Sequence, residues 1–227
     1  MPVIAAELQR RIDDLAREWN VAVDRTLETR SSFLAFGTCG RQPVVLKIVK
    51  REGDEWHAGE VLEAFRGSGV VRVYEYVEGA VLVERAMPGQ SLVSMAIGGS
   101  DDEATAIVAD VIGQMSGCKP PKRCPTVQDW AKGFERYVAT GDQQIPRDLV
   151  EEAARWHAQL AASQRETSLL HGDLQHYNVL SDARRGWRDA LVAHTDLGPL
   201  IRQREQNSHR APYSGPIQVT SVNDLAF

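Results

Sequence analysis

Apolar residues at Ile4, Leu8, Ile12, Leu15 and Trp19 recur every three or four positions, with charged residues between them. That spacing lines one face of an amphipathic helix ending near Asn20. The pattern then shifts to the shorter apolar runs of strands. Three are expected, over 21–27, 33–36 and 44–49, with Gly37 and Gly40 in the second turn. Asp54 is placed to open a helix over 55–65, closed by Gly67. Two more strands follow, 70–76 and 80–83, joined through Glu78 and Gly79.

Beyond residue 87 the character changes. Residues 101–115 and 127–140 read as helices, and Pro146 opens another with Leu149, Ala153, Trp156 and Leu160 on one face. A strand-rich half followed by a helix-rich half predicts two lobes, 1–86 and 87–227, with a cleft between them and a hinge over 84–89. The chain shows no internal repeat and no low-complexity segment.

The stretch from Leu169 to Leu180, LLHGDLQHYNVL, stands out within the second half. Apolar pairs bracket a polar loop and read as short buried strands. Asp173 and Asn178 are five apart, so one tight loop carries a carboxylate and an amide that can face the same small volume. Phosphoryl transfer from ATP needs such a pair: an acceptor for the attacking hydroxyl's proton and an oxygen ligand for magnesium. Protein-kinase catalytic loops space their Asp and Asn in the same way.

HGDLQHYNVL resembles the HGDxHxxN loop of the aminoglycoside phosphotransferases, antibiotic kinases with a protein-kinase-like fold. It is most similar to the streptomycin 6-kinase and hydroxyurea-kinase branch, whose loop reads much like LLHGDLHHxNVL. The resemblance runs from about residue 21 to about 187. It implies an α+β, two-lobe fold with a five-stranded small lobe and a helical large lobe that here is incomplete. It implies ATP and Mg2+ as cofactors and a small-molecule hydroxyl as acceptor, an aminoglycoside such as streptomycin, with no nucleic-acid or membrane partner. The strand, strand, strand, helix, strand, strand order of the first half agrees with a kinase small lobe.

By that resemblance Asp173 accepts or orients the proton of the attacking hydroxyl, and Asn178 with Asp196 holds magnesium. Lys47 would contact the phosphates, and adenine would bond to backbone at Glu84 and Ala86. Read by itself, Lys47 sits in an otherwise apolar run, 44–49. A buried lysine needs a partner, while one on an edge strand can snorkel to water. The downstream loop favours the paired reading. Its partner is expected on the 55–65 helix, at Glu60 or Glu63. Glu60 borders the face made by Ala58, Leu62 and Phe65, and it aligns with the family's pairing glutamate.

Other features narrow the class. No GxxxxGK[ST] phosphate loop occurs. The first strand turn, Thr29-Arg30-Ser31-Ser32, lacks the glycines protein kinases use there, which favours the small-molecule branch. His171 is expected to orient backbone, and His176 is a candidate for lining the acceptor pocket. His57, His157, His194 and His209 lack metal-ligand spacing.

The net charge of −5 argues against a nucleic-acid partner and suits a cationic substrate, though it equally suits an ordinary soluble protein. Cys39, Cys118 and Cys124 form neither a disulfide framework nor a zinc pattern. No apolar run reaches membrane-spanning length. A reduced, cytoplasmic protein is expected.

After the catalytic loop the family has a hairpin and a strand reading roughly WxxIDPKG, whose Asp binds magnesium. Gly186-Trp187 fits, but the following residues depart from the pattern. Asp196-Leu197-Gly198 matches an Asp-x-Gly metal motif, 18 positions after Asn178. Asp189 is nearer but lacks an apolar strand before it. Between Arg202 and Arg210 there is no apolar residue. Two readings stand side by side. One is a truncated or frameshifted product whose residues 200–227 pack poorly and which has little or no kinase activity. The other is a divergent short kinase in which Asp196 binds the metal. The acceptor alternatives are hydroxyurea, another amino sugar or a choline-like alcohol.

Overall fold

The computed structural model describes residues 3–29, 31–53, 55–141, 144–164 and 167–190. Arg30, Asp54, Asp196 and the 200–227 stretch, all named above, lie outside the described residues.

The first lobe runs α1 (Val3–Glu18), β1 (Val21–Glu28), β2 (Ser32–Cys39), β3 (Gln42–Val49), α2 (Ala58–Ala64), β4 (Val73–Val77) and β5 (Ala80–Glu84). Its five strands form one sheet in the order β1-β2-β3-β5-β4, antiparallel throughout. Alternation along β3 explains its two cores, since successive side chains point to opposite faces. Val44, Leu46 and Ile48 face α1, where Leu8, Ile12 and Leu15 cover them with Ala80 and Leu82 of β5. Val45, Val81 and Val83 face the other way, toward Leu62 and Phe65 of α2 and the second lobe. Lys47 shares the parity of Val45, so register alone aims it at that second face.

A bulge at Asp24 breaks the β1–β2 ladder, between the pairs Val23–Gly37 and Arg25–Phe36. Gly37 is required there. A Cβ at that position would sit 2.2 Å from the Ala22 carbonyl oxygen.

The second lobe runs β6 (Pro88–Ser91), α3 (Val93–Ile97), α4 (Asp101–Met115), α5 (Val127–Trp130), α6 (Lys132–Thr140), α7 (Arg147–Ser163), β7 (Val179–Asp182) and β8 (Gly186–Asp189). The last strands join β6 in a small sheet, β6-β7-β8, under the first lobe. Val70 bridges to Asp189, and the Val71 amide donates to the Asp189 carbonyl at 2.9 Å. Val70, Val71, Leu92, Val111, Val179, Leu180 and Ala190 belong to one buried cluster that spans both sheets.

Several expectations are corrected. The helix expected over 55–65 begins only at Ala58, and residues 55–57 form a turn. The helix expected over 127–140 divides at Ala131: Thr126 and Asp129 cap a short first piece, and Gly141 in the left-handed region ends the second. Leu169-Leu170 is not a strand. The Leu169 amide is taken by the Cys118 carbonyl, and Leu170 is exposed. The α7 stripe is also different. Val150 and Ala161 are buried and His157 meets the Phe134 ring of α6, whereas Trp156 and Leu160 are 58% and 60% exposed. The helix carries two apolar stripes, and α6 packs against the one the strongest residues do not occupy. No helix among the described residues is long and apolar enough to cross a membrane.

Candidate active site

The 171–178 loop is held from both sides. Gly172 turns at φ +84°, a conformation that favours glycine, and the Trp130 ring of α5 lies over it. Asp173 follows and is half-buried. Its amide donates to His171 Nδ1 at 3.2 Å. Asn178 is buried, and its side-chain amide donates to the Asp173 carbonyl at 2.7 Å, with the Asp173 carboxylate at 3.4 Å. Gln175 Nε2 reaches the other carboxylate oxygen at 3.3 Å. The two residues picked out by their spacing therefore meet on one turn.

Asn178 spends its nitrogen on Asp173. That leaves its carbonyl oxygen as a hard donor beside the Asp173 carboxylate, which is the ligand type Mg2+ takes. Among the described residues no group of three or more His, Cys, Asp or Glu could hold a metal. The donor type fits magnesium, and a further carboxylate would have to come from the rest of the chain.

Lys47 is 3% exposed on β3 and donates to Glu55 Oε1 at 2.7 Å. Burying a lysine is costly, and a charge-assisted bond is the usual compensation. Glu55 lies in the turn before α2, a position the helix expectation had absorbed into the helix itself. Glu60 lines a cavity of about 100 Å3 with Trp56, Tyr76 and Arg123. Burial first, and the nearby Glu60 charge second, raise the Cys124 thiol above its ordinary value. Glu60 therefore borders the loop that carries Arg123 and Cys124.

At the end of β5, Glu84 pairs with Arg185 Nη1 at 2.7 Å, and both side chains are largely buried. Ala86 is buried beside it. Asp182, at the end of β7, accepts the amides of Arg184 and Arg185 at 2.9 and 2.8 Å and that of Met87 at 3.2 Å. One carboxylate thus stitches the β7–β8 turn to the hinge. An Asp two residues before a pair of arginines and a glycine is an ordinary turn signal, but nothing local shows that it also reaches the hinge.

No apolar run precedes Asp189, yet a short strand does. Asp189 ends β8, is fully buried, and its Oδ2 lies 2.8 Å from His171 Nε2. His176 is half-buried, with its carbonyl accepting from Ser91 Oγ at 3.0 Å.

Residues 18–192 match the aminoglycoside/hydroxyurea antibiotic resistance kinase family. A streptomycin 3''-kinase from Klebsiella pneumoniae is 34% identical over 183 residues, 79% of this chain and 66% of that protein. This chain thus spans just under two thirds of that relative's length. Among solved structures, a choline/ethanolamine kinase family protein from Mesorhizobium loti superposes with a TM-score of 0.54 at 17% identity, over 82% of this chain and 64% of that one. Aminoglycoside phosphotransferase APH(4)-Ia gives 0.52 at 16%, over 81% of this chain and 70% of that one. At such identities the likeness is one of fold. The catalytic-loop residues, the two-lobe α+β fold and the sequence match over most of the described residues agree: the chain belongs to the aminoglycoside/hydroxyurea antibiotic resistance kinase family.

Proposed function

We propose that the chain is an ATP-dependent phosphotransferase acting on a hydroxyl of an aminoglycoside of the streptomycin type. The observation that carries this reading is the pairing of Asp173 and Asn178 on one loop, bound at 2.7 Å through the Asp173 carbonyl. Asp173 accepts or orients the acceptor hydroxyl's proton. The Asn178 carbonyl oxygen and Asp196 hold Mg2+, which when bound neutralises phosphate charge. Lys47 contacts the phosphates. Its orientation is set by Glu55, with Glu60 the alternative that the family pattern favours. Adenine meets the backbone at Glu84 and Ala86. The Glu84 amide is already taken by the Arg72 carbonyl at 2.8 Å, so its own carbonyl is the group that would meet the base. Catalysis is positioning and charge neutralisation, with no covalent intermediate. The protein works in a reduced cytoplasm, on a small molecule.

A second reading has its own support. After Gly186-Trp187 the sequence departs from the WxxIDPKG pattern whose Asp binds magnesium in the family, which suits a kinase-like chain that binds nucleotide without turnover. Mg·ATP with streptomycin separates the two. The expected result is a thermal shift with Mg·ATP, since a ligand that binds only the folded state raises stability. Phosphorylated streptomycin should also form, with the modified hydroxyl located by NMR. Asp173→Asn should lower turnover by about 10²–10⁴ while sparing nucleotide affinity. A thermal shift without product favours the non-catalytic reading. No shift at millimolar Mg·ATP sinks both. Product from hydroxyurea or choline alone moves the acceptor assignment.

A further inference from the structure

The His171 ring is held at both nitrogens, and the two bonds fix each other. A backbone N–H only donates, and the Asp173 amide points at Nδ1 at 3.2 Å. Nδ1 must therefore present its lone pair, so the ring proton sits on Nε2. Nε2 then donates to Asp189 Oδ2 at 2.8 Å. Which nitrogen of a histidine carries the proton is set by the bond the other makes. Here both bonds select the same tautomer, in a place where the His171 and Asp189 side chains are 5% and 0% exposed.

Asp189 is itself anchored. Its amide donates to the Gly69 carbonyl at 2.8 Å, and its carbonyl accepts from Val71. The next residue, Ala190, donates to the Asn178 carbonyl at 2.8 Å. The end of β8 thus grips the 171–178 loop near its start, through His171, and at its end, through Asn178. It also ties the loop to the segment that leads from α2 to β4.

We propose that Asp189 is a positioning residue for the catalytic loop: by accepting from Nε2 it holds His171 in the tautomer whose Nδ1 receives the Asp173 amide, and so holds Asp173 in place. The meaning of Asp173 as the proton acceptor rests on the phosphotransferase reading. The tautomer and its bond to the Asp173 amide do not.

The test uses the full chain and two readouts, the ring 15N signature of His171 and hydrogen exchange at the Asp173 amide. The unsubstituted protein should show a proton on Nε2 and none on Nδ1. Asp189→Asn keeps the shape and a carbonyl acceptor, so it should retain that tautomer and leave Asp173 exchange within about threefold. Asp189→Leu has no acceptor. It should populate the Nδ1–H form and speed Asp173 exchange about tenfold or more, as expected for one lost hydrogen bond. Should the Leu variant not fold, the unsubstituted protein and the Asn variant carry the decision. The proposal is overturned by an Nδ1–H or doubly protonated His171 in the unsubstituted protein. It is also overturned by a folded Leu variant with unchanged exchange, or by an Asn variant that loses the Nε2–H tautomer. Nucleotide binding is read separately by thermal shift, and its absence would count against the kinase reading alone.

Discussion

The Asn178 side-chain amide donates to the Asp173 main-chain carbonyl at 2.7 Å and approaches the Asp173 carboxylate at 3.4 Å. One buried residue therefore closes the loop and holds its own side chain beside the Asp173 carboxylate. Asn178→Ala should cost about 1–3 kcal/mol, because it strands a partly buried carbonyl. Asn178→Asp should cost more at pH 7, since it loses the donor and adds a like charge beside Asp173, and the gap between the two variants should narrow at lower pH. Urea unfolding at two pH values measures both.

Lys47 distinguishes its candidate partners by what each loss leaves behind. Glu55→Ala should lower stability by about 1–3 kcal/mol, because it removes a 2.7 Å charge-assisted bond to a buried ammonium. Glu60→Ala should stay within about 0.5 kcal/mol, as for a side chain outside any buried network. Nucleotide affinity should follow the same order. A larger loss at Glu60 in both measurements would restore the family-pattern assignment.

Gly172→Ala meets two obstacles. Its backbone is at φ +84°, and the new Cβ would lie 2.8 Å from the Trp130 ring. The conformation alone costs about 1–2 kcal/mol. The crowding adds about 1–3 kcal/mol. A double-mutant cycle with Trp130→Ala should recover the crowding part and leave the backbone part, and full additivity would show that the ring gives way freely.

Asp129 sets an acid limit on the α5 cap. A hydrogen bond from the Thr126 backbone, then the Thr126 hydroxyl and Lys132, lower its carboxyl from 3.8 to about 2. A depressed folded pKa means that the cap contributes fully above pH 3.8 and fades as pH falls toward about 2. NMR titration of the Asp129 carboxyl should show this, and Thr126→Ala should move the midpoint back up. A midpoint near 3.8 in the intact protein would remove the cap.

Much of the fold was legible because it is local. The period of Leu8, Ile12 and Leu15 is a property of α1 itself, and the apolar runs of β2, β3 and β5 mark strands wherever they pack. Helix α4 runs over Asp101–Met115, the span its pattern predicts. Asp173 and Asn178 were legible for a related reason. Five residues of one loop fix their separation closely, whatever surrounds them.

Tertiary structure decided the rest. Glu55 reaches Lys47 only because α2 starts at Ala58, and where a helix starts depends on what it docks against. The α7 stripe that is buried was chosen by where α6 lies, and two similar stripes leave the sequence indifferent between them. β7 shows in the sequence as the apolar pair Val179-Leu180, but β6 and β8 are four-residue strands without an apolar run, and β6 finds β7 only across some 90 positions, in the pairing of Pro88 with Asp182. Asp189 shows the limit most plainly. In the sequence it is one carboxylate among charged neighbours, whereas its burial and its hold on His171 come from the β7–β8 register and the bridge to Val70. Periodicity records what a segment can bury, and only the assembled chain decides which partner buries it.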